Sequence, residues 1–385
     1  MKIIGSVKED LAIEKRITIT PDIIKKYADI KFSVLLEKNY GEHLGINDEV
    51  YKKKGANLCS SAKEVFERSE IILKVNSPSK EEINLIKSKS ILIGQFDQFI
   101  DKEKINLLVK KGTRIFSLIL LPRIARAQSM DVLSSQANLA GYRAVIESVN
   151  EFNKAIPLMM TAAGTITPAK VLIIGAGVAG LQAIATAKRL GAIVSATDVR
   201  SAAKEQVESL GGKFLSVKGS ENLETKEGYA KEAGEEFKRK QEELLKDTVK
   251  KNNIIICTAL IPGRKAPRII SEEMIKIMQP GSVIYDLATS HGGNVAFAES
   301  DKIKIVNGVK VMGSKNILNN LAVSASELYS KNLFNFVNNL YDKKKKVSLP
   351  IFSNGFGHLS VNGLILFPKP AARIIAFLII TFNNF

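Results

Sequence analysis

This 385-residue chain has two cysteines, three histidines and no apolar run long enough to cross a bilayer. Each scarcity removes a class of function. Cys59 and Cys257 stand far apart without metal-ligand spacing, which excludes a disulfide framework and fits a reducing compartment. No window approaches the roughly 18 apolar residues of a membrane span, and the longest late run, Ile374 to Phe382, is much shorter. Residues Met1 to Asp10 carry charge where a secretory signal needs its apolar segment. These absences predict a soluble cytoplasmic protein with no membrane span of its own.

Composition then sets the scale. With 45% hydrophobic and 25% charged residues the chain is globular, and at about 150 residues per domain it divides into two or three units. The formal charge of +17 is spread along the chain, and the one dense run, Lys343 to Lys346, reads as a solvated linker. No zinc-finger spacing, RNP-like aromatic motif or basic helix accompanies it, so nucleic acid is not an expected partner. The charge is left to serve solubility, anionic cofactors or docking to an acidic partner.

Apolar strand-like runs alternate with helix-like segments from the start. Phe32–Glu37, Ile71–Val75, Ile91–Phe96 and Arg114–Leu118 are separated by segments such as 61–69 and 102–111. A long helical pattern after Leu139 passes Tyr142, Val145 and Val149. A second strand series follows: 171–174, 193–197, 213–217, 254–258, 282–286 and 311–313. The rhythm predicts an α/β protein with two Rossmann-like, doubly wound parallel-sheet domains and a cofactor cleft between them. The expected domains are 1–137 plus 321–385, the latter containing a returning helix over 328–340, and 138–320, which binds the nucleotide.

The sharpest motif is Val171-Leu-Ile-Ile-Gly175-Ala-Gly177-Val178-Ala179-Gly180. A bare Gly-x-Gly-x-x-Gly says little, but this copy follows a strand, opens a helix, and is followed eighteen residues past Gly180 by Asp198 at the end of the next strand. Gly175 allows the tight turn, Gly177 lets backbone approach a pyrophosphate, and Gly180 lets helix and strand pack closely. The helix N-terminus offers free N–H groups to phosphate. Asp198 accepts ribose hydroxyls and repels a 2′-phosphate, favouring NAD(H), a preference that Arg200, two residues past Asp198 and next to Val199, leaves open. The strand ends at Thr258-Ala259-Leu260 and at Asp286 complete the pocket. His291, in a Gly-rich turn, is expected in solvent. The polar insertion between Val217 and Phe237 reads as a lid or a plain surface loop, with Tyr229 as the residue to close over the nucleotide.

One stretch, Pro122 to Val145, concentrates short hydrogen-bonding side chains: Arg123, Arg126, Gln128, Asp131, Ser134, Ser135, Gln136 and Asn138. On the residues alone, a polar helix cap or domain hinge competes evenly with a ligand site. Arg123-Ile-Ala-Arg-Ala-Gln128-Ser-Met-Asp131-Val-Leu-Ser134, together with Tyr142, resembles the signature of the NAD(H)-binding component of proton-translocating nicotinamide nucleotide transhydrogenase. Met159–Thr165, Ala196–Arg200, Lys204–Phe214, Gly228–Phe237 and Thr258–Gly263 are similar to it too, and the resemblance spans roughly residues 1 to 345.

The resemblance implies a subunit that passes hydride from NADH to NADP⁺, with NADP(H) bound by a partner component and proton translocation carried by membrane-spanning subunits. It implies a homodimer, peripheral on the cytoplasmic face of the membrane, and the split form in which this component is its own polypeptide. It also implies that Arg123, Asp131 and Ser134 fix the nicotinamide carboxamide, that Gln128 reaches the other nucleotide's ribose, and that Tyr142 supports the loop. A mixed donor and acceptor set suits a carboxamide, and direct transfer needs two planar rings held dry at about 3 to 3.5 Å rather than an acid or base.

Two other readings stay open at this point. Alanine dehydrogenase has the same architecture, and Arg16 and Lys74 fall where it keeps substrate-binding and catalytic groups. It also needs a histidine soon after the lysine, and Ile91–Phe99 offers none. The third reading is an NAD(H)-binding regulatory module without turnover. Val295 stands where the transhydrogenase pattern often has cysteine, and the tail from Leu349 leaves the pattern.

Overall fold

The structure, a computed structural model, describes residues 2–97, 100–216, 234–260, 265–342 and 347–348. Two compact units form: residues Met1–Gln136 with the chain from Leu321, and Ala137–Asn320.

In the first unit the chain alternates β1 (Lys2–Ser6), α1 (Pro21–Asp29), β2 (Phe32–Glu37), α2 (Asp48–Lys53), β3 (Asn57–Cys59), α3 (Ala62–Arg68), β4 (Ile71–Leu73), α4 (Lys80–Leu85), β5 (Ile91–Gly94), α5 (Lys102–Lys110) and β6 (Arg114–Ser117). The sheet is parallel with order β3-β2-β1-β4-β5-β6. Its central strands read as unbroken apolar runs, such as Ile71-Ile72-Leu73, because helices cover both faces and leave no solvated side. Ser61 and Ser79 cap α3 and α4 through their side chains, Ser79 in a full capping box with Glu82.

After a 3-10 turn over Ala125–Met130, α6 (Val132–Glu151) carries the chain from the first unit into the second. It starts earlier than its apolar pattern suggests, because Ser134, Ser135, Gln136 and Asn138 interrupt the hydrophobic periodicity without interrupting the helix. An exposed hairpin, β7 (Met159–Thr161) and β8 (Gly164–Ile166), follows.

The second unit contains β9 (Lys170–Ile174), α7 (Val178–Arg189), β10 (Ile193–Thr197), α8 (Ala203–Ser209), β11 (Lys213–Phe214), α9 (Glu235–Val249), β12 (Ile254–Cys257), α10 (Glu272–Lys276), β13 (Val283–Asp286), β14 (Lys302–Val306) and β15 (Val309–Gly313). Its sheet runs β11-β10-β9-β12-β13-β15-β14, parallel except for the antiparallel edge strand β14. Chain order reverses at β9, so β9 marks the switch point at which α/β sheets bind ligands.

The returning helix α11 (Ala322–Leu340) begins six residues before the apolar pattern of 328–340 and packs in the first unit. Tyr329, Leu333, Phe336 and Val337 join the cluster formed by Ile4, Leu36, Leu73 and Ile93. Tyr27 and Phe334 meet edge to face with ring centroids 5.3 Å apart. Among the described residues no helix is long and apolar enough to cross a membrane. Lys343–Lys346, the insertion from Val217 to Ala233, and the tail from Leu349 lie outside the described residues.

Candidate functional site

Register places four strand ends at one edge of the second sheet: Ile174 pairs with Thr197 and with Cys257, and Cys257 pairs with Asp286. Gly175, Asp198 and Thr258 therefore follow adjacent strands side by side. Gly175 has φ +93°, the left-handed region that glycine adopts freely. A Cβ on Gly180 would lie 1.8 Å from the Gly175 carbonyl oxygen, so only glycine lets α7 start this close to the turn. A Cβ on Gly177 would meet nothing within 4 Å, leaving open space beside the helix N-terminus. This is the cradle a pyrophosphate needs, with the first-turn N–H groups around Val178 and Ala179 available to it.

Asp198 is nearly buried and fully engaged. Its Oδ2 accepts from the Ala176 amide at 2.7 Å and from Arg200 Nη2 at 2.9 Å; its Oδ1 accepts from the Arg200 amide and Nε, both at 2.9 Å. Burial works to raise its pKa, but the Arg200 guanidinium and these N–H donors outweigh burial and hold the carboxyl below the ordinary aspartate value. A carboxyl with a lowered folded pKa adds stability that is present above the unfolded value, about 3.9, and lost as pH falls through the folded value. Arg200→Ala is thus expected to destabilise the protein by about 1–2 kcal/mol at pH 7, with the difference from wild type in chemical melts shrinking as pH falls below the unfolded value and through the lower folded one.

The loop after β12 is tied to the glycine turn from one side and to the β13 end from the other. Thr258 Oγ1 donates to the Gly175 carbonyl at 2.8 Å. Asn294, fully buried, accepts from the Ala259 amide at 3.1 Å and donates to the Ala259 and Pro267 carbonyls at 2.9 and 2.8 Å. Buried Asp286 in turn accepts from the backbone amides of Asn294 and Val295 at 2.7 and 2.9 Å. Leu260 is exposed at the end of this loop. Asn294→Ala would strand three polar groups of the loop, and we expect it to lower stability by about 2–4 kcal/mol and to weaken NADH binding about tenfold, read by thermal melting and fluorescence titration.

Gly141, in α6, is a second residue that pattern reading passes over. Its Cβ would sit 2.0 Å from the Ala179 carbonyl oxygen, so a glycine is needed for α6 to come this close to the first turn of α7. A lone glycine inside a helical pattern is the available signal, since it costs about 1 kcal/mol against alanine and needs a reason. Tyr142 beside it is exposed. Tyr229 lies outside the described residues. His291 is exposed, with its Nδ1 2.9 Å from Ser290 Oγ.

In the first unit the polar stretch separates into distinct jobs. Asp131 caps α6: its carboxylate accepts from the Ser134 amide at 2.9 Å and from Ser134 Oγ at 2.5 Å. Three asparagines of α11, one or two turns apart, grip the preceding turn. Asn332 and Asn335 donate to the Ser129 carbonyl, Asn332 Oδ1 accepts from Ser135 Oγ, and Asn339 Oδ1 accepts from Arg126. Arg123 and Gln128 are exposed on this clamped turn. The clamp is invisible to sequence reading because it joins segments some 200 residues apart.

Arg16 and Lys74 follow β1 and β4, at the switch point of the first sheet, yet neither is available to a substrate carboxylate. Arg16 is gripped by Glu14 at 2.8 and 2.7 Å and donates to Gln136 at 2.9 Å. Lys74 pairs with Glu82 at 2.8 Å and Glu9 at 3.4 Å. Both cations are buried. Burial pushes the Glu9 carboxyl up despite the nearby Lys74 charge, as expected where three acids share two cations.

A glycine turn at the switch point of a parallel sheet, with an acid closing the next strand, defines a dinucleotide-binding protein built from two Rossmann units. The chain belongs to the alanine dehydrogenase/PNT family, whose N-terminal domain matches residues 5–140 and C-terminal domain residues 144–354. It is 47% identical over 346 residues to an NAD(P) transhydrogenase subunit alpha polypeptide of Rhodospirillum rubrum, covering 88% of this chain and 90% of that protein. The crystal structure of transhydrogenase from Sinorhizobium meliloti superimposes with TM-score 0.81 at 45% identity, over 88% of this chain and 93% of that one. Alanine dehydrogenase of Methanococcus maripaludis is more distant, 29% identical over 296 residues, 76% of this chain and 74% of that enzyme.

Proposed function

We propose that this chain is the NAD(H)-binding subunit of a proton-translocating NAD(P) transhydrogenase. The observation that carries the reading is the triple-glycine turn at β9 backed by the ionised Asp198, in a chain 47% identical to a transhydrogenase alpha subunit. Gly175, Gly177, Val178, Ala179 and Gly180 receive the pyrophosphate, Asp198 with Val199 and Arg200 forms the ribose end, and Thr258, Ala259 and Leu260 with Tyr142 and Tyr229 complete the pocket.

The bound nicotinamide supplies hydride chemistry; the protein's task is to hold and shield it. Asp131, polarised by the Ser134 hydroxyl and amide, and Arg123 offer the acceptor and donors that a carboxamide matches. Gln128 is exposed on the clamped turn, and in this reading it is the residue that reaches toward an NADP(H)-binding component. Proton translocation is assigned to membrane-spanning partner subunits. The neutralised state of Arg16 and Lys74 disfavours an amino-acid substrate, since neither cation can receive its carboxylate without breaking a buried pair.

A homodimer accompanies this reading, supported by the β7–β8 hairpin, which leaves the apolar side chains of Leu158, Met159, Met160 and Ile166 exposed. Met160→Asp is expected to shift the protein from dimer to monomer in sedimentation velocity, and an unchanged dimer would place the interface elsewhere.

The function is tested by mixing the chain with a soluble NADP(H)-binding component, NADPH, NADH and an oxidised NAD⁺ analogue of shifted absorbance. Reduction of the analogue that requires both proteins is expected, together with no alanine-dependent reduction of NAD⁺. Alanine-dependent turnover, or NADH binding without any transfer, would replace this reading with the dehydrogenase or the regulatory module.

A further inference from the structure

We propose that Asn332 of α11 is a positioning residue for hydride transfer, holding the turn that carries Gln128 in register through the carbonyl of Ser129. This role rests on the transhydrogenase reading, in which Gln128 reaches toward the second nucleotide.

The turn over Ala125–Met130 is a 3-10 helix, a form whose hydrogen bonds are poorly aligned and whose runs are short. Buried Ala127 and Met130 anchor it in the core, and between them Gln128 and Ser129 stand exposed. The Gln128 carbonyl accepts a long bond, 3.3 Å, from the Asp131 amide. Such a turn keeps one shape when something outside it fixes the exposed peptides. Ser129 is the handle: its carbonyl accepts from Asn332 Nδ2 at 2.9 Å and from Asn335 Nδ2 at 3.0 Å.

Asn332 is buried, and both ends of its amide are used. A carbonyl only accepts, so the NH2 group must face Ser129, and this directs Oδ1 to the Ser135 hydroxyl, 2.7 Å away in the first turn of α6. One side chain therefore ties the turn to the helix that follows it. The tie continues inward, since Gln136 donates to the Ala325 carbonyl of α11 at 3.2 Å and accepts from buried Arg16 at 2.9 Å. Packing alone would favour an apolar residue at 332, because Leu333, Phe336 and Val337 close by on α11 bury hydrocarbon. A buried amide satisfied on both sides gives direction, which contact area does not. Direction matters where two rings must meet, because a misplacement of about 1 Å costs about a hundredfold in rate.

The test combines the full chain with a soluble NADP(H)-binding component, NADPH, NADH and the NAD⁺ analogue, reading transfer by stopped flow, NADH affinity by fluorescence and stability by melting. The variants are Asn332→Ala, Gln128→Ala and the two together. Ser330→Ala, on the same helix but bonded to Thr20 at 2.9 Å, is the control for loss of α11 packing. Asn332→Ala is expected to slow transfer about tenfold with NADH affinity within about twofold of wild type. Added to Gln128→Ala it should cost less than about twofold more, since the turn then has no Gln128 to align. Ser330→Ala should melt lower and transfer at the wild-type rate. If Asn332→Ala does not fold, half-buried Asn335→Ala, which removes the other donor to Ser129, carries the test with an expected slowing of about threefold. A folded Asn332→Ala that transfers at the wild-type rate, an equal loss with and without Gln128, or an equal slowing in Ser330→Ala overturns the positioning role. Failure of wild type itself to transfer hydride overturns the transhydrogenase reading instead, and so is not confused with these results.

Discussion

Gly180→Ala is expected to abolish NADH binding and to destabilise the second unit by about 3 kcal/mol or more. The added methyl would stand 1.8 Å from the Gly175 oxygen and 2.9 Å from its carbonyl carbon, both backbone atoms of the turn that must receive the pyrophosphate. No rotamer relieves such a clash, so either α7 moves away from β9 or the Gly175 peptide does. The neighbouring Gly177→Ala separates folding from binding. Its methyl meets nothing within 4 Å, so thermal stability should stay within about 1 kcal/mol of wild type while nucleotide affinity falls at least tenfold, because the methyl occupies the ligand's approach. Equal melting temperatures for Gly180→Ala and Gly177→Ala would contradict the close approach of α7 to β9.

The second large effect concerns the clamped turn of the first unit. Gln128→Ala is expected to leave the melting temperature unchanged, since its side chain is exposed, while slowing hydride transfer about a hundredfold, the penalty typical of a misaligned reacting pair. Asp131→Ala should show both effects: a loss of about 1 kcal/mol from the α6 cap, and a larger fall in transfer rate. Comparing the two in stopped-flow transfer and thermal melts distinguishes a ligand role for Asp131 from a purely capping one. If Asp131→Ala loses stability but transfers hydride as fast as wild type, the cap is its whole function.

Local patterns carried much of this architecture. Strand–glycine turn–helix and strand–acid are contiguous signals, so Gly175, Gly177, Gly180 and Asp198 are legible one after another, and buried parallel strands announce themselves as apolar runs such as Ile254-Ile-Ile. Short or solvent-facing strands do not: β3 spans only Asn57–Cys59, and β14 alternates Lys302, Ile303, Lys304 and Ile305 at an exposed edge. Relations across the chain are harder still. Asn294 reads as one more polar residue after a glycine pair until Ala259 is placed against it, and Asn332, Asn335 and Asn339 acquire meaning only when α11 lies over the Ser129 turn. Arg16 and Lys74 show the opposite problem. Their positions suggest a substrate-carboxylate site, but Glu9 and Glu14, from the loop between β1 and α1, and Glu82, from α4, neutralise them. Burial without pairing would have been untenable for either cation, so the pairing was physically required, although its partners were not readable from spacing.

The central claim is that this chain holds NAD(H) so that hydride passes directly to a nucleotide on another component. It is tested by following deuterium from NADH labelled at the transferred C4 position in a reconstituted reaction with NADP⁺. Direct transfer predicts that the label appears in NADPH, undiluted by solvent hydrogen, and only when both proteins are present. Label lost to water, or transfer that proceeds without this chain, would contradict it.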